Sequence, residues 1–381
     1  MLVGLMGFLL LVGFWIMHER RVPKDAVALS CSPQSGVRTA CETNAVLAET
    51  RVLGLKAGFE LLRKFYDKDP LLRPDCHAVA MDIGRETYKA FPDYRKLIFT
   101  SESAWCNYGF YQEYPNVLLL KTGNIEEARA FCEYAADKVG DSVPGLRAEC
   151  FRGIGRALPY LRPADQGDVR KMASFAVGTC KQAAPVGEEY VSCLSGSFNQ
   201  LGRSKSIAEQ YLAIKSADPL WLCGEQTDRQ AAIQCYGNFK WVVVNALTLG
   251  DFKTMLQHFT STYPAAHEAS IRSVIWTLAY EEARKNVSKE SLSAEAAEDC
   301  TSLPLSSQND CISGFSVGIA KHGTPNTQHL ALISFCKVMA QGMHEVACPS
   351  QQAIEYLRGF YTPAHFQEAC KLMKSELGIE C

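Results

Sequence analysis

The chain has 381 residues, 47% of them hydrophobic, which is ample for a large core, and its 39 basic and 41 acidic side chains leave a net charge of −2. No half is strongly basic, which argues against a nucleic-acid partner, because phosphate backbones need a basic footprint. Sixteen cysteines without a single Cys-x-x-Cys argue against a thioredoxin-like centre, a zinc ribbon or c-type haem attachment, and point to export into an oxidising compartment.

The N-terminus supplies an export route. Leu2 to Met17 is an uninterrupted apolar run, followed by His18-Glu19-Arg20-Arg21. As a helix it spans roughly 24 Å against a hydrocarbon core of about 30 Å, and Trp15 with the polar flank can sit at the interface. The small-residue site Ala26-Val27-Ala28 lies across several charges and no basic region precedes the run, which disfavours a cleaved signal peptide. The expectation is an uncleaved transmembrane anchor over residues 1–18. Arg20, Arg21 and Lys24 would keep the following flank cytoplasmic by the positive-inside rule, whereas the cysteines require it outside. Sixteen cysteines in register outweigh three charges, so the rest of the chain is expected in the periplasm or extracellular space.

Residues 19–44, with Pro23, Pro33 and Gly36, read as a linker. From about Ala45 the pattern becomes helical: Val46, Leu47, Val52, Leu53, Leu55, Phe59, Leu62 and Tyr66 recur mostly at threes and fours. Helix-breaking clusters then punctuate the chain at Asp69-Pro70, Pro92-Asp93, Thr122-Gly123-Asn124, Gly140-Asp141, Arg162-Pro163, Pro185, Asp218-Pro219, Gly250-Asp251, Pro264, Gly323-Thr324-Pro325 and Thr362-Pro363. Intervals of this kind suit helix hairpins, so residues 45–381 are expected to form one all-α repeat domain.

Cysteine spacing gives the repeat. Taken as neighbours, the pairs are Cys31 with Cys41, Cys76 with Cys106, Cys132 with Cys150, Cys180 with Cys193, Cys223 with Cys235, Cys300 with Cys311, Cys336 with Cys348, and Cys370 with Cys381. The last four pairs are 11 or 12 residues apart. Cys106, Cys150, Cys193 and Cys235 follow one another at 44, 43 and 42 residues. Local pairing is expected, although spacing alone leaves other connectivities open. Each short bridge is worth on the order of 2–4 kcal/mol. From Cys235 to Cys311 the interval is 76 residues, about two repeats, and Phe259 and Ile271 stand where a further pair would fall. Joint loss of both cysteines is what paired sulfurs predict, since a lone survivor would be a free thiol. The first member of a pair is expected to close one helix and the second to open the next. A glycine follows the second three residues on, at Gly109, Gly153, Gly196 and Gly314. Glycine inside a helix costs about 0.5–1 kcal/mol, so its recurrence implies close approach of a neighbouring backbone.

The segments Asn124-Ile-Glu-Glu-Ala-Arg-Ala and Ser206-Ile-Ala-Glu-Gln-Tyr-Leu resemble the second helix of tetratricopeptide-like repeats, specifically of their secreted, disulfide-stitched relatives. The resemblance covers about residues 45–381. It implies a curved helix-hairpin solenoid whose concave face binds peptides or partner proteins.

Two nucleotide-binding motifs are missing: there is no phosphate-binding Gly-x-x-x-x-Gly-Lys-Ser/Thr and no dinucleotide Gly-x-Gly-x-x-Gly. His267-Glu268 and His344-Glu345 lack the second histidine of a zinc-protease helix. His77 and Met81 are four apart and share a helix face; imidazole with thioether can ligate haem iron or copper, with Gln112 and His18 as the remaining donors to weigh. A half-buried histidine beside a core methionine is the plainer explanation. The aromatic run Trp105, Tyr108, Phe110, Tyr111, Tyr114 is either inter-helix packing or a partner-binding surface, for which Trp105, Tyr108, Tyr111 and Tyr114 are the candidates. The expected function is a non-enzymatic, membrane-anchored scaffold that needs no cofactor and serves as an accessory subunit of a membrane protein complex. The alternative is a cofactor-binding or hydrolytic enzyme with its site in the groove near His77 and Met81.

Overall fold

The computed structural model describes Cys31 and residues 35–381 apart from 70, 141–142, 144, 166, 204–219, 239–251, 253–267, 343–347 and 362. Among the described residues there is no strand, and sixteen α-helices carry the chain. The expected anchor over residues 1–18 lies outside the described residues; within them, no helix is long and apolar enough to cross a membrane.

Helix α1 (Ser35–Leu53) begins within the stretch expected to be linker. The Cys31–Cys41 bridge crosses its first turns, and Arg38 reaches Asp69 at 2.9 Å and Glu42 at 3.2 Å. These tertiary ties override the local signal of Gly36. Helix α2 (Leu55–Lys68) follows Gly54, whose φ of +89° suits glycine. It buries Leu55, Phe59, Leu62 and Tyr66 and leaves Arg63 and Lys64 outside, as the spacing predicted, whereas Val52 and Leu53 at the end of α1, expected on the apolar face, are exposed.

The remaining helices form two layers. Inner helices α3 (Cys76–Ala90), α4 (Gly109–Thr122), α6 (Leu146–Ala157), α8 (Glu188–Arg203), α10 (Arg229–Asn238), α11 (Glu268–Asn286), α13 (Leu305–His322) and α15 (Gln351–Phe360) pack each against the next in chain order, with α1 against α3 at the front. Outer helices α5 (Ile125–Val139), α7 (Val169–Ala183), α9 (Trp221–Gly224), α12 (Leu292–Thr301), α14 (Gln328–Gly342) and α16 (Pro363–Leu377) cover them. Between α3 and α4 the outer position is taken by residues 91–108, which contain two 3-10 turns, Tyr94–Lys96 and Ser101–Ala104. The expected breakers that are described fall between helices or at their ends, Thr122 closing α4 and Pro363 opening α16. At Gly123-Asn124 the logic is complete: Gly123, at φ +64°, closes α4, and the Asn124 side chain accepts from the Glu127 N–H at 3.1 Å to start α5.

All sixteen cysteines pair with their neighbours, as expected. Their placement in the helices agrees with the expectation only in part. Cys180 and Cys300 do fall near the ends of α7 and α12, but Cys132 and Cys336 lie midway along α5 and α14. Cys150, Cys193, Cys235 and Cys311 lie inside α6, α8, α10 and α13 instead of opening them. The bridges Cys132–Cys150, Cys180–Cys193, Cys223–Cys235 and Cys300–Cys311 therefore staple packed helix faces, at the buried interface of an outer helix with the inner helix that follows.

The remaining bridges depart from that pattern. Cys76–Cys106 joins the starts of two inner helices, because no outer helix separates α3 from α4. Cys348 belongs to no helix: it stands half-buried in the bend before α15 and ties that bend to α14 through Cys336. Cys381 opens no helix either. It follows α16, half-buried, and its bridge to Cys370 folds residues 378–381 back onto the helix they leave. In the bridge-free repeat, Ile271 packs on the core from α11; Phe259 lies outside the described residues.

The glycines do what their recurrence implied. A Cβ at Gly153 would lie 2.2 Å from the Gln112 carbonyl oxygen, at Gly196 2.0 Å from that of Arg152, and at Gly314 2.2 Å from that of Trp276. At Gly109 it would lie 2.6 Å from the His77 carbonyl oxygen. Neighbouring inner helices thus touch backbone to backbone, which gives the inner layer strong curvature. Arg73 shows how far that curvature goes. Its guanidinium donates to the Tyr66 carbonyl at 2.9 Å and the Asp67 carbonyl at 3.3 Å. It also donates to the Phe360 carbonyl and to Asn326 Oδ1, the latter at 3.4 Å. The last hairpins return onto the first.

Candidate binding groove

Inner helices packed in parallel align their dipoles, so one edge of the layer favours acids and the other bases. Glu149, Glu188 and Glu189 occupy the first turns of α6 and α8, while Arg156, Arg203, Arg284 and Lys321 occupy the last turns of α6, α8, α11 and α13. Exposed bases at helix ends would need no further explanation. These are not all exposed, and they converge.

Burial lowers the basicity of the Arg156 guanidinium, Glu113 opposes the shift, and the like charges of Arg203, Arg152 and Arg85 add to it. Its contacts are poor for so buried a cation: Met81 Sδ at 3.4 Å, Glu113 Oε2 at 3.8 Å, and no partner for Nε. Arg85 has the better hold on Glu113, at 2.9 Å. Lys321 is held below its usual pKa by burial; Asp75 opposes this and Arg203 reinforces it. His322 falls to about 4 through burial and the charges of Lys321 and Arg284, and its Nε2 meets the Tyr280 hydroxyl at 2.7 Å. His77 is lowered by burial and further by Arg156, Lys321 and Arg152, against the effect of its Nδ1 contact with the Cys106 carbonyl at 3.0 Å. His77 on α3 and Lys321 on α13 feel each other across most of the array. The charges of Arg152, Arg156, Arg203, Arg284 and Lys321, from several inner helices, thus act on one shared set of buried groups within a chain of nearly balanced charge.

The sequence candidates separate in this frame. His77 and Met81 do share the groove face of α3, but the Met81 sulfur lies against a guanidinium, which opposes a second cation there. Gln112, buried on α4, spends its amide on Glu149 Oε2 at 2.8 Å. His18 lies outside the described residues, and among those described no group of three His, Cys, Asp or Glu is placed to hold a metal ion. Tyr111 and Tyr114 are fully buried, and this corrects their candidacy as surface anchors. Tyr111 meets Ser103 Oγ at 2.9 Å, and Tyr114 donates to the Phe91 and Pro92 carbonyls at 3.0 and 3.1 Å and stacks on Phe131 at 4.6 Å. They cement the 3-10 stretch onto α4, since buried tyrosines need hydroxyl partners.

Trp105 and Tyr108 remain half-exposed. Tyr108 borders an open groove of about 820 Å³ along the starts of α6, α8 and α10, beside Glu149, Glu188 and Asp228. Trp105 packs on Tyr66 at 4.5 Å beneath the Arg63 guanidinium. The groove cations escaped the sequence reading, although one signal was present: Arg203 and Lys321 each stand ten residues after a bridging cysteine, Cys193 and Cys311. No family model, curated protein or solved structure matches this chain.

Proposed function

We propose that the protein is a non-enzymatic scaffold, anchored to a membrane by residues 1–18, that holds a partner protein in the groove of its bridged helical array outside the cytoplasm. Eight disulfides support an oxidising, extracytoplasmic setting. The observation that carries the reading is the convergence of Arg152, Arg156, Arg203, Arg284 and Lys321, where Asp75, Glu113 and Glu281 are carboxylates in the same field and Glu281 holds Arg284 at 2.7 Å. Crowded like charges at a partly dehydrated face are costly alone and favourable against an acidic partner surface. Tetratricopeptide-like repeats, which the chain resembles, use their concave face for proteins. A stable companion would make the chain an accessory subunit of a membrane complex.

The test is gentle detergent purification from native membranes followed by mass spectrometry of the intact assembly. A stoichiometric companion is expected with the native chain, and its loss in Arg152→Glu/Arg203→Glu at unchanged helicity. A chain that is solitary in its native form overturns the proposal.

A further inference from the structure

A second feature lies where the array returns on itself. A cavity of about 460 Å³ opens between the first units and the last. One wall is Tyr66, His77 and Trp105; the other is Lys321, Tyr356 and Phe360. Its volume falls in the range of small-molecule sites, roughly 300–1,000 Å³.

The polar groups on its walls are unevenly committed. Arg73 is spent on three carbonyls and Asn326. Lys321 has no ion pair among the described residues; its ammonium lies 6.0 Å from the Tyr280 ring and 5.8 Å from the Tyr356 ring. His77 has Nδ1 tied to the Cys106 carbonyl, which leaves Nε2 as its ring nitrogen for another partner. Glu355, at the rim, is the one carboxylate among the lining residues. Two aromatic pairs make most of the apolar surface, Tyr66 against Trp105 and Tyr356 against Phe360 with centroids 5.7 Å apart, while Asn107 and Gln352 add uncharged polar groups.

The backbone beside the cavity is strained. Cys106, Asn107 and Tyr108 have φ of 59°, 57° and 59°, three consecutive left-handed residues of which none is glycine. Each such residue costs roughly 1–2 kcal/mol, and strain of this kind persists where surrounding structure imposes it, often at ligand clamps. Here it presents the Cys106 carbonyl to His77 and sets Trp105 and Asn107 on the wall.

We infer that this junction cavity binds a small aromatic acid, with its carboxylate or phosphate against Lys321 and His77 and its ring between the Tyr66–Trp105 and Tyr356–Phe360 pairs. Because the walls come from opposite ends of the array, an occupant clamps the last unit onto the first. Binding then reinforces the closure that Arg73 already makes, and the ligand stabilises the folded chain with the logarithm of its concentration above Kd.

The experiment uses the full chain and four probes: indole-3-acetate, phenyl phosphate, inorganic phosphate and indole. Calorimetry gives affinity and stoichiometry, and thermal unfolding gives the stabilisation. The acids are expected to bind one per chain and to raise the Tm, with phenyl phosphate separating a phosphate preference from a carboxylate one. Inorganic phosphate and indole should each bind at least tenfold more weakly. Lys321→Met should lose at least tenfold in acid affinity, while Lys321→Arg keeps most of it. Gln352→Trp, at an exposed lining position, should block binding by filling the cavity while leaving the fold intact. Absence of binding by both acids at millimolar concentration overturns the inference. So does unchanged affinity in Lys321→Met, or inorganic phosphate binding as tightly as phenyl phosphate.

Discussion

Two contacts within the inner layer, α6 with α8 and α10 with α11, are built on different terms. Between α6 and α8 glycine works in both directions: Gly196 lies under the Arg152 carbonyl, and a Cβ at Gly155 would lie 1.9 Å from the Cys193 carbonyl oxygen. Ser197 Oγ donates across the seam to the Gly155 carbonyl at 2.9 Å. Between α10 and α11, a Cβ at Gly237 would meet, among the described residues, nothing nearer than Ser273 Oγ at 3.9 Å. The first seam belongs to units with bridges, and the second adjoins the repeat that has lost its pair. The bridges do not set this closeness directly, since each joins an inner helix to the outer helix before it; α11, whose repeat has no pair, still takes Gly314 of α13 to 2.2 Å from its Trp276 carbonyl oxygen.

The largest effect that breaks this comparison is expected from Gly196→Val. A side chain there must displace the Arg152 carbonyl, and overpacking of this kind costs about 3 kcal/mol or more. Thermal unfolding should show a collapse in Tm or failure to fold. A mild effect would mean the α6–α8 seam is not as close as described.

Bridge removal is the next effect in size. Cys223 and Cys235 are both buried and bridged. Changing either alone should cost about 2–4 kcal/mol and leave a buried thiol. Replacing both together, by Phe and Ile as at residues 259 and 271, should cost less than either single change. Denaturant titration with thiol counting by mass decides the matter, and equal losses in single and double variants would sink the account of a jointly lost pair.

Much of this was legible in the sequence. Bridges that pair neighbours in the chain leave a one-dimensional trace, and so does a glycine three residues after a cysteine. Where a cysteine sits within its helix leaves none: Cys348 and Cys381 stand 12 and 11 residues after their partners, as Cys311 stands 11 after its own, yet only Cys311 is helical. The return contact was equally silent, because Arg73 and Phe360 are 287 residues apart and an arginine bonding carbonyls looks like any arginine. The aromatic run was ambiguous for a local reason. Its members belong to one short segment, and the left-handed turn at residues 106–108 sends Trp105 and Tyr108 outward while α4 carries Tyr111 and Tyr114 into the core. Pattern alone cannot see that turn, since no glycine marks it.

Acidification should act most where the array closes. Burial holds the His322 ring at about 4 from an ordinary 6.5 and lowers His77 and His329 as well. Between those values the unfolded rings carry protons that the folded rings do not, so stability falls as pH drops from about 6.5 towards 4 and levels off below. For His322, partly exposed and hence screened, the loss is on the order of 1–2 kcal/mol. His322→Gln should flatten part of that slope in Tm against pH. An unchanged profile would place the titration elsewhere.

The smallest effect sharpens the comparison most. Gly237→Ala adds a methyl group to α10 at ordinary contact distance from Ser273 Oγ, with no carbonyl of the described residues in its way. The gain in helix propensity is then unopposed, and the variant should be about 0.5 kcal/mol more stable than the native chain. The same substitution at Gly196 would drive its methyl group to 2.0 Å from a carbonyl oxygen and must destabilise. Opposite signs for one chemical change, at two glycines of the same layer, are what a looser α10–α11 contact requires. If Gly237→Ala destabilises as Gly196→Ala does, the α10–α11 contact is as close as the α6–α8 seam.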